Sequence, residues 1–120
     1  MNRRTSRRAA RLLALGLCAL SMGRAAAQMS EPPFDLTQAA VIASGEALFN
    51  RRCAGKCHGR DAYAGEDAPS LYGRSHLTPP IAYVMINYGK PSTAMPPWKD
   101  RLTDEEIWRL VAYVVSLQRP

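Results

Sequence analysis

Six consecutive residues, Cys53-Ala54-Gly55-Lys56-Cys57-His58, set two thiols and an imidazole beside one another and restrict the fold more than any other stretch of this chain. Thiols this close act together, by bridging each other, holding a metal or attaching a common group. The size of the chain favours a large buried group. Of the 120 residues the first 27 read as an export signal, which leaves 93 for the fold. At that size an apolar core alone is marginal.

Residues 1–27 have the order of a secretory signal peptide. Arg3, Arg4, Arg7, Arg8 and Arg11 form a basic start, Leu12 to Met22 is apolar, and Ala25-Ala26-Ala27 supplies small residues for cleavage after Ala27. The apolar run is too short for an uncleaved anchor, so no stable membrane insertion of the mature chain is expected. Ala9-Ala10-Arg11 fits twin-arginine export poorly, and Leu17 is too bulky for a lipid-anchor site at Cys18. The domains expected are therefore a cleaved signal at 1–27, an extended lead-in at 28–36 and one folded domain at 37–120 in the periplasm.

Removal of the signal changes the meaning of the charge. The formal net charge is +6, and the six arginines of residues 1–27 account for all of it, so ten Lys/Arg face ten Asp/Glu from Gln28 onward. The basic pI belongs to the export signal, and no nucleic-acid partner is expected. Cysteine use follows suit, since only Cys53 and Cys57 remain once Cys18 is gone.

Local patterns predict helices throughout. Thr37 to about Arg51 reads as the first, with Ala40, Val41, Ser44, Ala47, Leu48 and Arg51 sharing a face. Gly59, Gly65, Pro69 and Gly73 then mark an irregular loop. A second helix begins at Pro79-Pro80, runs through Ile81, Val84, Met85 and Tyr88, and ends at Gly89 as a left-handed cap. Pro91, Pro96 and Pro97 stiffen the loop that follows. The last helix opens with a capping box, Thr103 and Glu106, and lines one side with Ile107, Leu110, Val111, Val114 and Leu117. No alternation of period two competes, so the class is all-α.

Two thiols near each other can add across the two vinyl groups of a haem, and an imidazole directly after the second thiol is held where it reaches the iron. Three residues separate Cys53 from Cys57, yet positions i and i+4 share one side of a helical turn as i and i+3 do. Gly55 eases the local bulge. One thioether, from Cys57, or two are both compatible with this spacing. Other roles stay open on these residues alone. A Cys53–Cys57 disulfide closes a small loop and stabilises modestly; zinc wants four ligands, for which His76 is the obvious further donor; and His58 also reads as an ordinary surface residue.

Haem iron needs a sixth ligand, and Ala94-Met95-Pro96-Pro97-Trp98 supplies a thioether on a stiff loop. Pro96 holds Met95 extended, so that its side chain projects from the loop. Methionine also fills core gaps well. Among rival ligands, Met85 lies within a helical pattern, and His76 would give a bis-histidine iron of lower potential.

Together these residues resemble the class I c-type cytochromes. The run Cys53 to His58 is similar to their C-x-x-C-H attachment motif with one residue added, and Met95-Pro96 is similar to their methionine loop before the final helix. Gly45, Phe49 and then Cys53 match the family's first-helix pattern, and Leu110 with Tyr113 matches its partner on the last helix. The resemblance runs from Thr37 to Leu117. It implies an all-α, cytochrome c-like fold of three to four helices packed around one covalently bound haem c, attached at Cys53 and Cys57, with His58 and Met95 as iron ligands. It further implies that Gly45 makes room for an aromatic ring opposite, that the Pro69 carbonyl accepts the second ring N–H of His58, and that Trp98 and Tyr72 serve the haem propionates.

With both axial positions filled, the family resemblance implies an electron carrier that is not itself an enzyme. Its partners would be redox proteins, a dehydrogenase as donor and an oxidase or further cytochrome as acceptor. The alternatives are a haem subunit of an exported dehydrogenase or sulfur-compound oxidase complex, and a haem-less binding module with a Cys53–Cys57 disulfide. Arg51, Arg52, Lys56 and Arg60 flank the attachment run and read either as a positive rim for an acidic partner or as a solvated face.

Overall fold

The computed structural model describes residues 29–118 apart from 64 and 66, so the expected signal peptide lies outside the described residues. Three α-helices form: α1 (Ala39–Phe49), α2 (Pro79–Tyr88) and α3 (Asp104–Ser116). Between α1 and α2 the chain makes a π-helical segment at Asn50–His58 and a 3-10 turn at Arg60–Ala62. No strand occurs among the described residues, as the absence of alternation predicts. None of their helices is long and apolar enough to cross a membrane.

The ends of the helices follow their sequence signals. The Thr103 hydroxyl accepts from the Glu106 backbone N–H at 3.2 Å while the Glu106 carboxylate accepts from the Thr103 N–H at 2.9 Å, completing the capping box. Pro79 and Pro80 occupy the first turn of α2, where their missing N–H groups have no intrahelical partner to lose. Gly89 stops that helix with φ 69°.

Helix α3 is the centre of the core. Ile107, Trp108, Leu110 and Val111 are almost wholly buried, and α1 and α2 both pack against this helix. At the crossing with α1, a Cβ on Gly45 would stand 2.0 Å from the Arg109 carbonyl oxygen and 3.0 Å from Tyr113 Cβ. Glycine is therefore required by the backbone of α3 even more than by the aromatic ring. The expected face of α1 needs correction: Ala40, Ser44, Ala47 and Arg51 are exposed, and Gly45, Leu48 and Phe49 are buried with Ile42 packed beside them. Ala and Ser are compatible with either environment, so the close crossing at Gly45 chose the face.

The lead-in also contributes structure. Phe34 and Leu36 pack on the core. Trp108 Nε1 donates to Ser30 Oγ at 2.9 Å, and Ser30 in turn donates to Asp104 at 2.7 Å. Tyr83 donates to the same carboxylate and stacks on Trp108, with ring centroids 4.4 Å apart. A segment that looks like a plain extension thus ties α2 to the start of α3.

Two stability measurements check this account. Gly45→Ala should gain about 1 kcal/mol of helix propensity yet lower the stability overall, by about 1–3 kcal/mol in urea denaturation, because the added methyl forces the helices apart. Thr103→Ala should cost about 1 kcal/mol at neutral pH. The N–H bond from Thr103 holds the Glu106 carboxyl below its usual range. That contribution is present above the ordinary glutamate pKa and fades as pH falls through the lowered value, so Glu106→Gln should be less stable than the parent at neutral pH and converge with it in acid, whereas the cost of Thr103→Ala should persist in acid.

Candidate functional site

A partly open cleft lies between the π-helical segment, α2, the loop after α2 and the inner side of α3. It holds about 1280 Å³ of empty space including its mouth. Cys53, Cys57 and His58 line it from the π segment, and Met95 and Trp98 line it from the loop before α3. Apolar side chains such as Leu71, Leu77, Ile86, Leu110 and Val114 supply the walls. Cys53, Cys57, His58 and Met95 are thus brought to one cavity.

The added residue between the cysteines is absorbed by the winding of the chain. Over Asn50–His58 the chain is wound as two short π-helical stretches that meet at a kink at Gly55, and the segment ends with Gly59 N–H donating to Ala54 C=O at 2.8 Å. Cys53 and Cys57, on either side of that kink (Gly55 φ 12°, ψ −127°), line the same cleft. Gly65 then passes close behind, where a Cβ would be 1.8 Å from the Cys57 carbonyl oxygen. Nothing in the sequence around Gly65 signals this contact.

Both thiols are free. Burial, with the neighbouring Cys57 as a lesser cause, pushes the Cys53 thiol up to about 12, which keeps it protonated. Among the described residues no group of three or more His, Cys, Asp and Glu side chains gathers as a zinc site would require.

His58 is half-buried, and burial pulls its pKa below the usual histidine value, favouring the neutral imidazole that ligates metals. The Phe49 ring packs 5.8 Å from the imidazole and 5.2 Å from Tyr113, which links the histidine to the α1–α3 crossing. Nδ1 is buried without a hydrogen-bond partner, so the expected bond to the Pro69 carbonyl is not formed, although Pro69 does line the cleft.

Opposite, Met95 is fixed through its backbone. Lys90 N–H donates to the Met95 carbonyl at 3.2 Å, Thr93 Oγ1 accepts from Met95 N–H at 3.3 Å, and Trp98 N–H reaches the Ile86 and Asn87 carbonyls at the end of α2. A Cβ on Gly89 would come within 2.6 Å of the Met95 carbonyl oxygen, so the helix cap doubles as the seat of this loop. The rivals Met85 and His76 line the same cleft, Met85 half-buried against the core and His76 exposed. Tyr72 does not line it, contrary to expectation, whereas Trp98 does.

The donor set fits one kind of group. An imidazole and a thioether suit an iron, two free thiols suit covalent attachment, the walls suit a flat apolar ring, and Arg52, Arg74 and Lys90 at the margin suit its carboxylates. Haem has all these features. Sequence reasoning does not single out Arg74 and Lys90, since cations in a loop rich in Gly and Pro have no distinguishing pattern.

Comparison with known proteins agrees. The family described as cytochrome C oxidase, cbb3-type, subunit III matches residues 40–114. FixP, a cbb3-type cytochrome c oxidase subunit of Sinorhizobium medicae, is 32% identical over 88 aligned residues, covering 64% of this chain. Among solved structures, cytochrome CL of Methylophaga aminisulfidivorans is 31% identical over 68% of this chain with a TM-score of 0.57. The dihydro-heme d1 dehydrogenase NirN is 36% identical over 59% of it with a TM-score of 0.55. The chain spans 30% of the length of FixP, 15% of NirN and 55% of cytochrome CL. Because the family match runs through every element that builds the cleft, from Phe49 to Val114, this chain belongs to the class I c-type cytochromes, the haem proteins of electron transfer.

Proposed function

We propose that the chain is an exported monohaem cytochrome c that passes single electrons between redox proteins in the periplasm. The observation that carries this reading is that Cys53, Cys57, His58 and Met95, drawn from two separate segments of the chain, all line one cleft. In this reading haem c, when bound, supplies a one-electron iron couple. Cys53 and Cys57 would hold it in place by thioether bonds. Neutral His58 and Met95 would ligate its iron, the thioether of Met95 raising the potential above that of a bis-histidine site. The apolar walls exclude water, and Arg52, Arg74 and Lys90 would neutralise the propionates. Residues 1–27 would direct export and be cut after Ala27, leaving 28–36 as the lead-in and 37–120 as the domain.

A second reading makes the same domain a haem subunit of a larger oxidoreductase complex. It draws on the likeness to FixP, of which this chain spans only 30%. Co-purification with a stoichiometric partner from the native host would favour it over a free carrier.

Absorption spectroscopy of protein matured in an exporting host tests the ligand set. The sulfur-to-iron charge-transfer band should be present in the parent and absent from Met95→Ala, while Met85→Leu and His76→Gln should retain it. Persistence of the band in Met95→Ala would remove Met95 from the site.

Intact mass under denaturing conditions tests attachment and processing together. The expected species is the chain from Gln28 with one haem added and no free thiol. Cys53→Ala and Cys57→Ala should each keep a single thioether, seen as one residual vinyl group in the pyridine haemochrome spectrum. A parent that already shows a free Cys53 thiol would contradict attachment through both cysteines.

A further inference from the structure

Two cations just after the Met95 loop rest on aromatic rings, and the rings differ in what they touch. The Lys99 Nζ stands 5.5 Å from the centroid of Tyr88, a ring that is half exposed and does not line the cleft. The Arg101 guanidinium stands 5.7 Å from the centroid of Trp98, a ring that does line it. Both distances fall within the range of about 6 Å over which the face of an aromatic ring attracts a cation.

The backbone sets Arg101 in place. Trp98 N–H donates to the Ile86 and Asn87 carbonyls, each at 3.1 Å, which fastens the tryptophan to the end of α2. The Trp98 carbonyl accepts from Arg101 N–H at 2.8 Å and from Leu102 N–H at 3.0 Å, so the chain turns back and carries the arginine over the ring three residues before it. Leu102 is buried and holds the turn against the core. Indole is the aromatic ring that attracts a cation most strongly, and a guanidinium stacks on aromatic faces and is more weakly hydrated than an ammonium. Asp100 adjoins Arg101 in the sequence, yet among the described residues no carboxylate forms an ion pair with this guanidinium.

Arg52, Arg74 and Lys90 line the cleft themselves, where the carboxylates of a bound haem would offset their charge. Arg101 does not line it, and its charge stays uncompensated one indole ring away. A fixed positive charge disfavours the ferric state, which carries one more positive charge than the ferrous state, and its pull weakens with distance and with the dielectric between. We infer that Arg101, seated on Trp98, is a residue that sets the potential of the iron couple, raising it by disfavouring the oxidised form. This deepens the electron-transfer reading above and rests on it. A higher potential makes the protein a better acceptor and a poorer donor, so the arginine helps to decide which redox proteins it can serve.

The test is the redox equilibrium of the exported, haem-loaded protein with a ferricyanide–ferrocyanide couple, read from the visible spectrum at low ionic strength. Arg101→Gln should lower the equilibrium constant for reduction of the iron about threefold, which is about 28 mV for a one-electron couple. Arg101→Lys keeps the charge and should lie closer to the parent than to Arg101→Gln. Lys99→Gln removes the same charge over a ring outside the cleft and should change the constant less than about 1.5-fold. In a Trp98→Leu background, which removes the seat, Arg101→Gln should shift the constant less than it does in the parent. The sulfur-to-iron band should persist in both Arg101 variants and in Lys99→Gln. A constant for Arg101→Gln equal to the parent's, or a change as large in Lys99→Gln, would overturn the proposal. So would loss of the band in Arg101→Gln and Arg101→Lys alike, which would make the arginine a prop for the Met95 loop. A coloured protein indifferent to Arg101 would overturn this inference and leave the electron-transfer reading standing, whereas a colourless parent would overturn both.

Discussion

At Gly45 the backbone of α1 lies against the Arg109 carbonyl of α3 with no room for a methyl group between them. That contact sets where α1 ends relative to α3, and everything at the cleft inherits the setting. Phe49 is one turn farther along α1 and inserts its ring between Tyr113 and His58. Such aromatic contacts contribute about 0.5–1.5 kcal/mol each beyond the area they bury. Their larger effect here is positional, because they fix the imidazole against the most deeply buried helix of the molecule. A shift of α1 along α3 would move His58, Cys53 and Cys57 together.

The added residue between the cysteines shows how a local insertion is tolerated next to a site. An α-helical continuation of α1 would rotate Cys57 and His58 relative to Cys53 by the angle of one further residue. The kink at Gly55 within Asn50–His58 departs from that path and leaves α1 unaltered. Gly59 allows the backbone to leave the helix afterwards, and Gly65 allows the returning arm of the loop to pass behind Cys57. The cost is confined to a segment whose side chains are mostly exposed.

Much of this is legible in the sequence because the signals are local. The capping box at Thr103 and Glu106, the prolines opening α2 and the glycine closing it each act over three or four residues, and each forms as expected. The cysteines, His58 and Met95 are legible for a different reason, as chemically unusual side chains in a recognisable order. What escapes depends on contacts distant in sequence. The buried face of α1 differs from the expected one because Ala40, Ser44 and Ala47 do not declare an environment. Ser30 carries no motif, yet it joins Trp108 and Asp104 from the far end of the chain. The roles of the Pro69 carbonyl and Tyr72 rest on analogy alone: His58 Nδ1 has no hydrogen-bond partner although Pro69 lines the cleft, and Tyr72 does not line it.

The two arms that bring His58 and Met95 to the cleft share an arrangement. His58 hangs from the C-terminal extension of α1, Met95 is seated on the C-terminal cap of α2, and α1 and α2 are both braced on α3. The gap between imidazole and thioether is thus a difference between two lever arms pivoted on a common rod. A core substitution on α3, well away from the cleft, would alter the lengths of those arms unequally. In a coloured protein of this design, the metal's spectrum becomes a strain gauge for the whole helical frame.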